Sequence, residues 1–202
     1  MIPLLLIGGG GHCRSCIEVI ESQKEYKIAG IVLPNTGNPE PILGYPVLGI
    51  DEELEKLLLK IPYAIVTVGQ IRNPDIRIRL FEKLKKNDAK LPIIIASTAY
   101  CSKHALVGYG SIVMHGAQVN TSARIGENCI INSQALVEHD VHIDHHCHIA
   151  TGARINGGAQ IGMGSFVGSG SIIREGVKVG SRVIIGTGQV ILRDVPEGKV
   201  VK

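Results

Sequence analysis

Five of the eight histidines fall between positions 139 and 148: His139, His142, His145, His146 and His148. Such a cluster admits two chemistries. Three imidazoles can ligate zinc, or one neutral imidazole can take a proton from an amine or hydroxyl near pH 7. His139 stands apart because Glu138 and Asp140 flank it. A neighbouring carboxylate can fix an imidazole's tautomer and stabilise the imidazolium that forms. A second stretch, Gly8-Gly9-Gly10-Gly11-His12, offers bare backbone running into a helix start, which suits phosphate groups. Cys13-Arg14-Ser15-Cys16 has redox spacing but sits beside that glycine loop without thioredoxin-like context, and reads as structural.

The elements that must position these residues divide into two halves. From Val107 an aliphatic residue recurs every six positions: Val107, Val113, Val119, Ile125, Ile131, Val137, Ile143, Ile149, Ile155, Ile161, Val167, Ile173, Val179, Ile185, Ile191. Four residues after each stands a mostly small or β-branched residue, such as Ala117, Cys129, Ala135 and Cys147. One residue after each stands mostly Gly, Asn or Asp, types that tolerate positive φ at a tight corner. A helix needs period 3.6 and an ordinary strand period 2. Period six with corner residues predicts short strands wound around an axis, a parallel β-helix. In this register His139 and His145 face different sides of one coil, as do His142 and His148, so no metal site is predicted, and His142, His145 and His146 read as polar surface residues.

The first half alternates strand and helix: strands at 4–7, 28–33, 63–68 and 92–95, helices at about 12–23, 51–59 and 74–86, the last capped by Asn73. That order predicts a small parallel Rossmann-like sheet of about four strands. Nicotinamide binding fits poorly. Cys13 takes the third glycine position of G-x-G-x-x-G, and the second strand ends Leu33-Pro34-Asn35 without a ribose-binding acid. The predicted domains are 1–93 and 94–202.

Composition narrows the partners. Among 202 residues 45% are hydrophobic and only 3% aromatic, and 25 are glycine, so the chain can bury a core. A formal net charge of +3 without long Lys/Arg runs disfavours nucleic acid. Five cysteines and an opening apolar run too short to span a bilayer predict a cytoplasmic protein with reduced thiols and no membrane insertion.

The repeat [LIV]-[Gly/Asn/Asp]-x-x-[small]-x resembles the hexapeptide-repeat family, which implies a left-handed β-helix of three hexapeptides per coil. Together with the Gly-rich loop and His12, Gly44-Tyr45-Pro46-Val47-Leu48-Gly49, and Glu138-His139-Asp140, the whole chain resembles the bacterial sugar acetyltransferases. These include nucleotide-linked 4-amino-sugar N-acetyltransferases and sialic-acid O-acetyltransferases. The resemblance implies acetyl-CoA as co-substrate, a nucleotide-linked sugar as acceptor, direct attack on the thioester, and a homotrimer with active sites between subunits. It implies His139 as catalytic base with Asp140 as its partner. It further implies His148, Gly157, Ser169 and Thr187 as CoA contacts, and Gly10, Gly11, His12, Gly69 and Asn132 as acceptor contacts. Two departures stand out. The acidic pair usual after the second strand is absent around Asn35, and the chain stops at Val200-Val201-Lys202 without the usual Pro-Ala-Lys tail. An O-acetyltransferase of a nonulosonic acid, a zinc-dependent β-helical hydratase and a non-catalytic sugar-nucleotide-binding subunit remain as alternatives.

Overall fold

The computed structural model describes residues 1–34 and 40–202, so Asn35 lies outside the described residues. Strand β1 (Ile2–Ile7) is the hub of the first half, pairing in parallel with β2 (Tyr26–Leu33) and β4 (Tyr63–Val66). β3 (Val47–Ile50) adds to β2, giving the order β3-β2-β1-β4. Leu4, Leu5, Leu6 and Ile7 are wholly buried because helices cover both faces of the sheet. Helix α1 (Gly11–Ser22) packs on one face through Cys13, Cys16, Ile17 and Ile20. A 3-10 turn at Asp51–Glu53 leads into α2 (Leu54–Lys60), which with α3 (Asp75–Lys86) covers the other. The N-cap position of α3 is Pro74 and not Asn73 as expected, though the Asn73 carboxamide oxygen, one residue earlier, accepts from the Asp75 N–H at 2.8 Å.

One strand expectation needs correction. The fourth strand of this sheet is Val47–Ile50, not 92–95. Ile94–Ile95 instead pairs with Ile112–Val113 and opens the second half.

From there the chain winds through two-residue strands eighteen positions apart, forming a triangular prism. Its first face runs from Ile94–Ile95 to Val200–Val201, its second from Tyr100–Cys101 to Val190–Ile191, its third from Leu106–Val107 to Lys178–Val179. The six-spaced aliphatics and the small residues four after them fill the interior, including stacked Cys129 and Cys147. The last coil is shorter, since Val200 pairs with Ile184 across sixteen residues.

The corner chemistry differs from the sequence reading. Positive φ falls three residues after each core aliphatic from Val107 to Ile185, as at Asn128 (54°), Asp140 (58°) and His146 (60°), not one residue after. The glycines one residue after serve close approach instead. A Cβ on Gly126 would stand 2.6 Å from the His145 nitrogen in the next coil.

The α/β unit docks on the first face, where the outward residues Ile94, Ile112 and Ile130 are also buried, against Ile17 and Ile20. Its fixing point is Arg77 on α3, buried without a carboxylate partner among the described residues. Nη1 donates to the Val66 and Val68 carbonyls at 3.1 and 2.6 Å, and Nη2 to Asn128 Oδ1 at 2.7 Å and the Asn128 carbonyl at 3.2 Å. Burial lowers its pKa to about 10. Gln70 adds an Nε2 bond to the Gly164 carbonyl at 3.1 Å, and Arg182 pairs with Asp75 at 2.9 Å. Arg77→Met strands several buried acceptors at once and should cost about 2–4 kcal/mol of stability. Arg124→Met on the exposed third face should stay within about 0.5 kcal/mol. Urea unfolding of the two variants checks the contrast, and equal losses would contradict it.

Candidate active site

His139 projects from the edge between the second and third faces. Its Nδ1 lies 2.9 Å from Asp140 Oδ2, and its Nε2 has no hydrogen-bond partner among the described residues. The geometry follows from the corner: Asp140 takes the left-handed conformation that Asp tolerates, which turns its carboxylate back onto the neighbouring ring. The Asp140 hydrogen bond raises the His139 pKa above its ordinary 6.5, partial desolvation opposes it, and the charges of Asp140 and Glu138 add to the rise. Glu138 also accepts from Asn120 Nδ2 at 2.9 Å, a role in holding the corner.

Gly157 stands one coil above. A Cβ there would lie 2.7 Å from the His139 ring atoms Cε1 and Nε2, so only glycine leaves room for this imidazole position. The neighbouring Gly158 N–H is taken by the His139 carbonyl at 3.0 Å, while the Gly157 N–H has no acceptor among the described residues. An imidazole with a free Nε2 beside a free amide can accept a proton and stabilise an oxyanion in one place.

The glycine loop lies elsewhere on the chain. A cavity of about 380 Å³ is lined by Gly10, Gly11, His12, Val68, Gly69, Gln70, Ile71 and His148. It sits at the carboxyl ends of β1 and β4, where a parallel sheet places its ligand crevice. His12 is half-buried, and its buried Nε2 has no hydrogen-bond partner among the described residues. Burial, with the charges of Arg77 and His148, lowers its pKa to about 3. His148 donates from Nδ1 to the Gln70 carbonyl at 2.5 Å, which leaves its Nε2 to accept from Asn132 Nδ2 at 3.1 Å. Burial outweighs the Gln70 bond and brings the His148 pKa down to about 4.

The residues expected to form the site therefore fall in three places. Gly10, Gly11, His12 and Gly69 share the crevice cavity, together with His148, which Asn132 holds from the prism side. Ser169 and Thr187 line a second cavity of about 620 Å³, also bordered by Ile71, on the edge between the first and second faces. His139, Asp140 and Gly157 stand on the far edge of the second face. His146, expected as a surface histidine, is instead buried at the domain junction, bonded to Asn128 Nδ2 at 2.9 Å and edge-on to Phe81. The histidines are spread around one coil, and among the described residues no three of His, Cys, Asp or Glu are grouped to hold a metal ion. Sequence reasoning missed Arg77, although it lies on the buried stripe Arg77-Leu80-Phe81-Leu84, whose helical spacing was the available signal. It also missed Gln70, an isolated loop residue with no such signal.

The family model of the PglD N-terminal domain matches residues 3–84, and that of the bacterial transferase hexapeptide (six repeats) matches residues 122–157. The acetyltransferase domain of PglB from Neisseria gonorrhoeae FA1090, in complex with acetyl coenzyme A, is 33% identical, with 98% of this chain and 94% of that chain covered and a TM-score of 0.87. PerB from Caulobacter crescentus, in complex with CoA and GDP-perosamine, is 31% identical, with 98% and 92% covered and a TM-score of 0.88. WeeI from Acinetobacter baumannii AYE, 18% identical over 99% and 96% with a TM-score of 0.80, shares the fold. No curated protein sequence matches. The chain belongs to the hexapeptide-repeat sugar acetyltransferase family, and its prism is the left-handed β-helix of that family. Among the described residues no helix is long and apolar enough to cross a membrane.

The histidine environments set a pH window. Unfolded, His12, His146 and His148 take protons near 6.5; folded, they refuse them until about 3, 4 and 4. Their contribution to stability is complete above pH 6.5 and is lost as pH falls toward 4. The thermal midpoint should drop across that window, while NMR titration places His139 above 6.5 and finds His148 still neutral at pH 5. A flat midpoint with His148 titrating near 6.5 would contradict this picture.

Proposed function

We propose that this chain transfers the acetyl group of acetyl-CoA to the amine of a nucleotide-linked amino sugar. The observation that carries the reading is the His139–Asp140 pair, with Nδ1 engaged at 2.9 Å and Nε2 free beside the bare Gly157 backbone. The sugar amine attacks the thioester carbonyl, and His139 Nε2 accepts its proton as the carbon–nitrogen bond forms. Asp140 holds the ring and stabilises the imidazolium. The Gly157 N–H steadies the tetrahedral oxyanion, which collapses to the amide as the carbon–sulfur bond breaks and the thiolate leaves, taking the proton back. The acceptor's nucleotide lies in the β1–β4 crevice, where the unpartnered His12 Nε2 offers a buried polar contact. Pantetheine lies along the edge carrying Ser169 and Thr187. CoA and GDP-perosamine bound together to PerB support a donor and a nucleotide-linked amino sugar on this fold.

The two edges of the second face favour a homotrimer. His139 is on one edge and Ser169 with Thr187 on the other, so a groove containing both draws them from two copies. The face between exposes Tyr100 and Val190, 57% and 58% accessible, which a neighbouring prism would cover. Five unpaired cysteines, four of them buried, support the cytoplasmic placement.

On the matching acceptor, His139→Ala should lower kcat by about 10²–10⁴-fold, the usual worth of a general base, with the thermal midpoint nearly unchanged. Asp140→Asn should cost less and move the acid limb of the kcat/KM profile to lower pH, because the hydrogen bond that raises the His139 pKa weakens. Thiol release against a panel of UDP-, GDP- and dTDP-linked amino sugars measures both. Near-normal turnover by His139→Ala would remove His139 as base.

A further inference from the structure

The cavity that contains Ser169 and Thr187 has a side chain that no sequence motif pointed to. Its floor is apolar, made by Ile71, Phe166, Ile184, Val200 and Val201, and its two charged lining residues are both cations, Arg72 and Lys202. The comparable groove on the third face is different, since Asp144 and Asp194 sit beside its Lys178. Arg72 is exposed and makes no ion pair among the described residues, whereas Arg182, another cation near this end of the prism, is engaged by Asp75.

The loop that carries Arg72 is anchored on the prism. The loop from Gly69 to Arg72 is fixed where Gln70 bonds His148 and Gly164, and Arg77 takes the Val68 carbonyl just before it. Ile71 borders both the crevice cavity and this one, so the loop is the wall between them, with Arg72 on the prism-end side. Thr187 lies about two and two-thirds coils beyond His139, about 13 Å along the axis at ordinary strand spacing. A thioester at the level of His139, with its arm along Ser169 and Thr187, carries its phosphate-bearing end toward Arg72.

We infer that Arg72 is a donor-specificity residue, whose guanidinium binds the phosphate groups of CoA at the open end of this groove. The inference rests on the acetyl-CoA reading above. A planar guanidinium matches phosphate oxygens in bidentate geometry, and the apolar floor suits the uncharged arm between phosphates and thioester.

Calorimetric titration of the full chain with CoA and with pantetheine, which lacks the nucleotide and its phosphates, separates the possibilities. In Arg72→Gln the ratio of CoA to pantetheine affinity should fall by about 10–100-fold, and Arg72→Lys should recover part of it. Thermal midpoints monitor folding, and an exposed side chain without an ion pair leaves them in place. A ratio that does not move, or a loss that appears instead in the KM of the nucleotide sugar at saturating donor, overturns the assignment. Failure of the wild-type chain to bind CoA at all sinks the acetyl-CoA reading and this inference with it. Wild-type binding with an unmoved ratio sinks Arg72 alone.

Discussion

Everything placed in the crevice depends on one buried cation. Arg77 carries its charge into the domain junction without a carboxylate partner among the described residues, a costly arrangement relieved by three backbone carbonyls and Asn128 Oδ1. One of those carbonyls ends β4 and another lies two residues beyond it, and Asn128 belongs to a prism corner. One side chain therefore sets the distance between the sheet crevice and the β-helix. The same positive charge reaches His12, His146 and His148 and helps keep all three neutral. Neutral imidazoles in fixed tautomers can donate and accept in defined directions, which a protonated cluster could not.

The two halves contribute different physical properties. The prism repeats its backbone every eighteen residues, so a corner residue such as Asp140 is placed by the stacking of coils above and below. That rigidity lets an exposed pair, His139 and Asp140, hold a 2.9 Å contact without burial. The α/β unit contributes concavity, at the point where the strand order turns between β1 and β4. Its loop from Gly69 to Arg72 is bonded to the prism and divides the concave surface into two cavities. An exposed base is poorly shielded from water, and a second copy of the chain closing over it would supply the missing wall.

Much of this was written plainly in the sequence. The period of six needed no structure, because every sixth position must point inward in a three-sided coil. The docking face was also legible in principle: Ile94, Ile112 and Ile130 are apolar at outward positions, where the third face carries Arg124, His142, Gln160 and Lys178. Three readings failed for identifiable reasons. Val47–Ile50 was obscured as a strand by the turn residues before it, while Ile94–Ile95 resembled a sheet strand because both of its faces are buried. The positive-φ corner was misplaced because glycine serves two purposes in the repeat, a left-handed turn at one position and close approach of coils at another. His146 was read as surface because its burial comes from α3, through Phe81, which is distant in sequence. Pairings such as Gln70 with His148 depend on how one domain sits on the other, and no local pattern encodes them.

The central claim is that the site is assembled from two copies, with His139 from one facing the groove of another. Co-expression of two inactive chains tests it directly. One chain carries His139→Ala; the other carries Ser169→Trp, which fills the groove edge while leaving its own His139 intact. If the site lies between subunits of a trimer, mixed assemblies contain interfaces with an intact histidine facing an intact groove. Random mixing should then restore thiol release at roughly a quarter of the sites. Mixed trimers that form but release no thiol would place the whole site within a single chain and contradict the account.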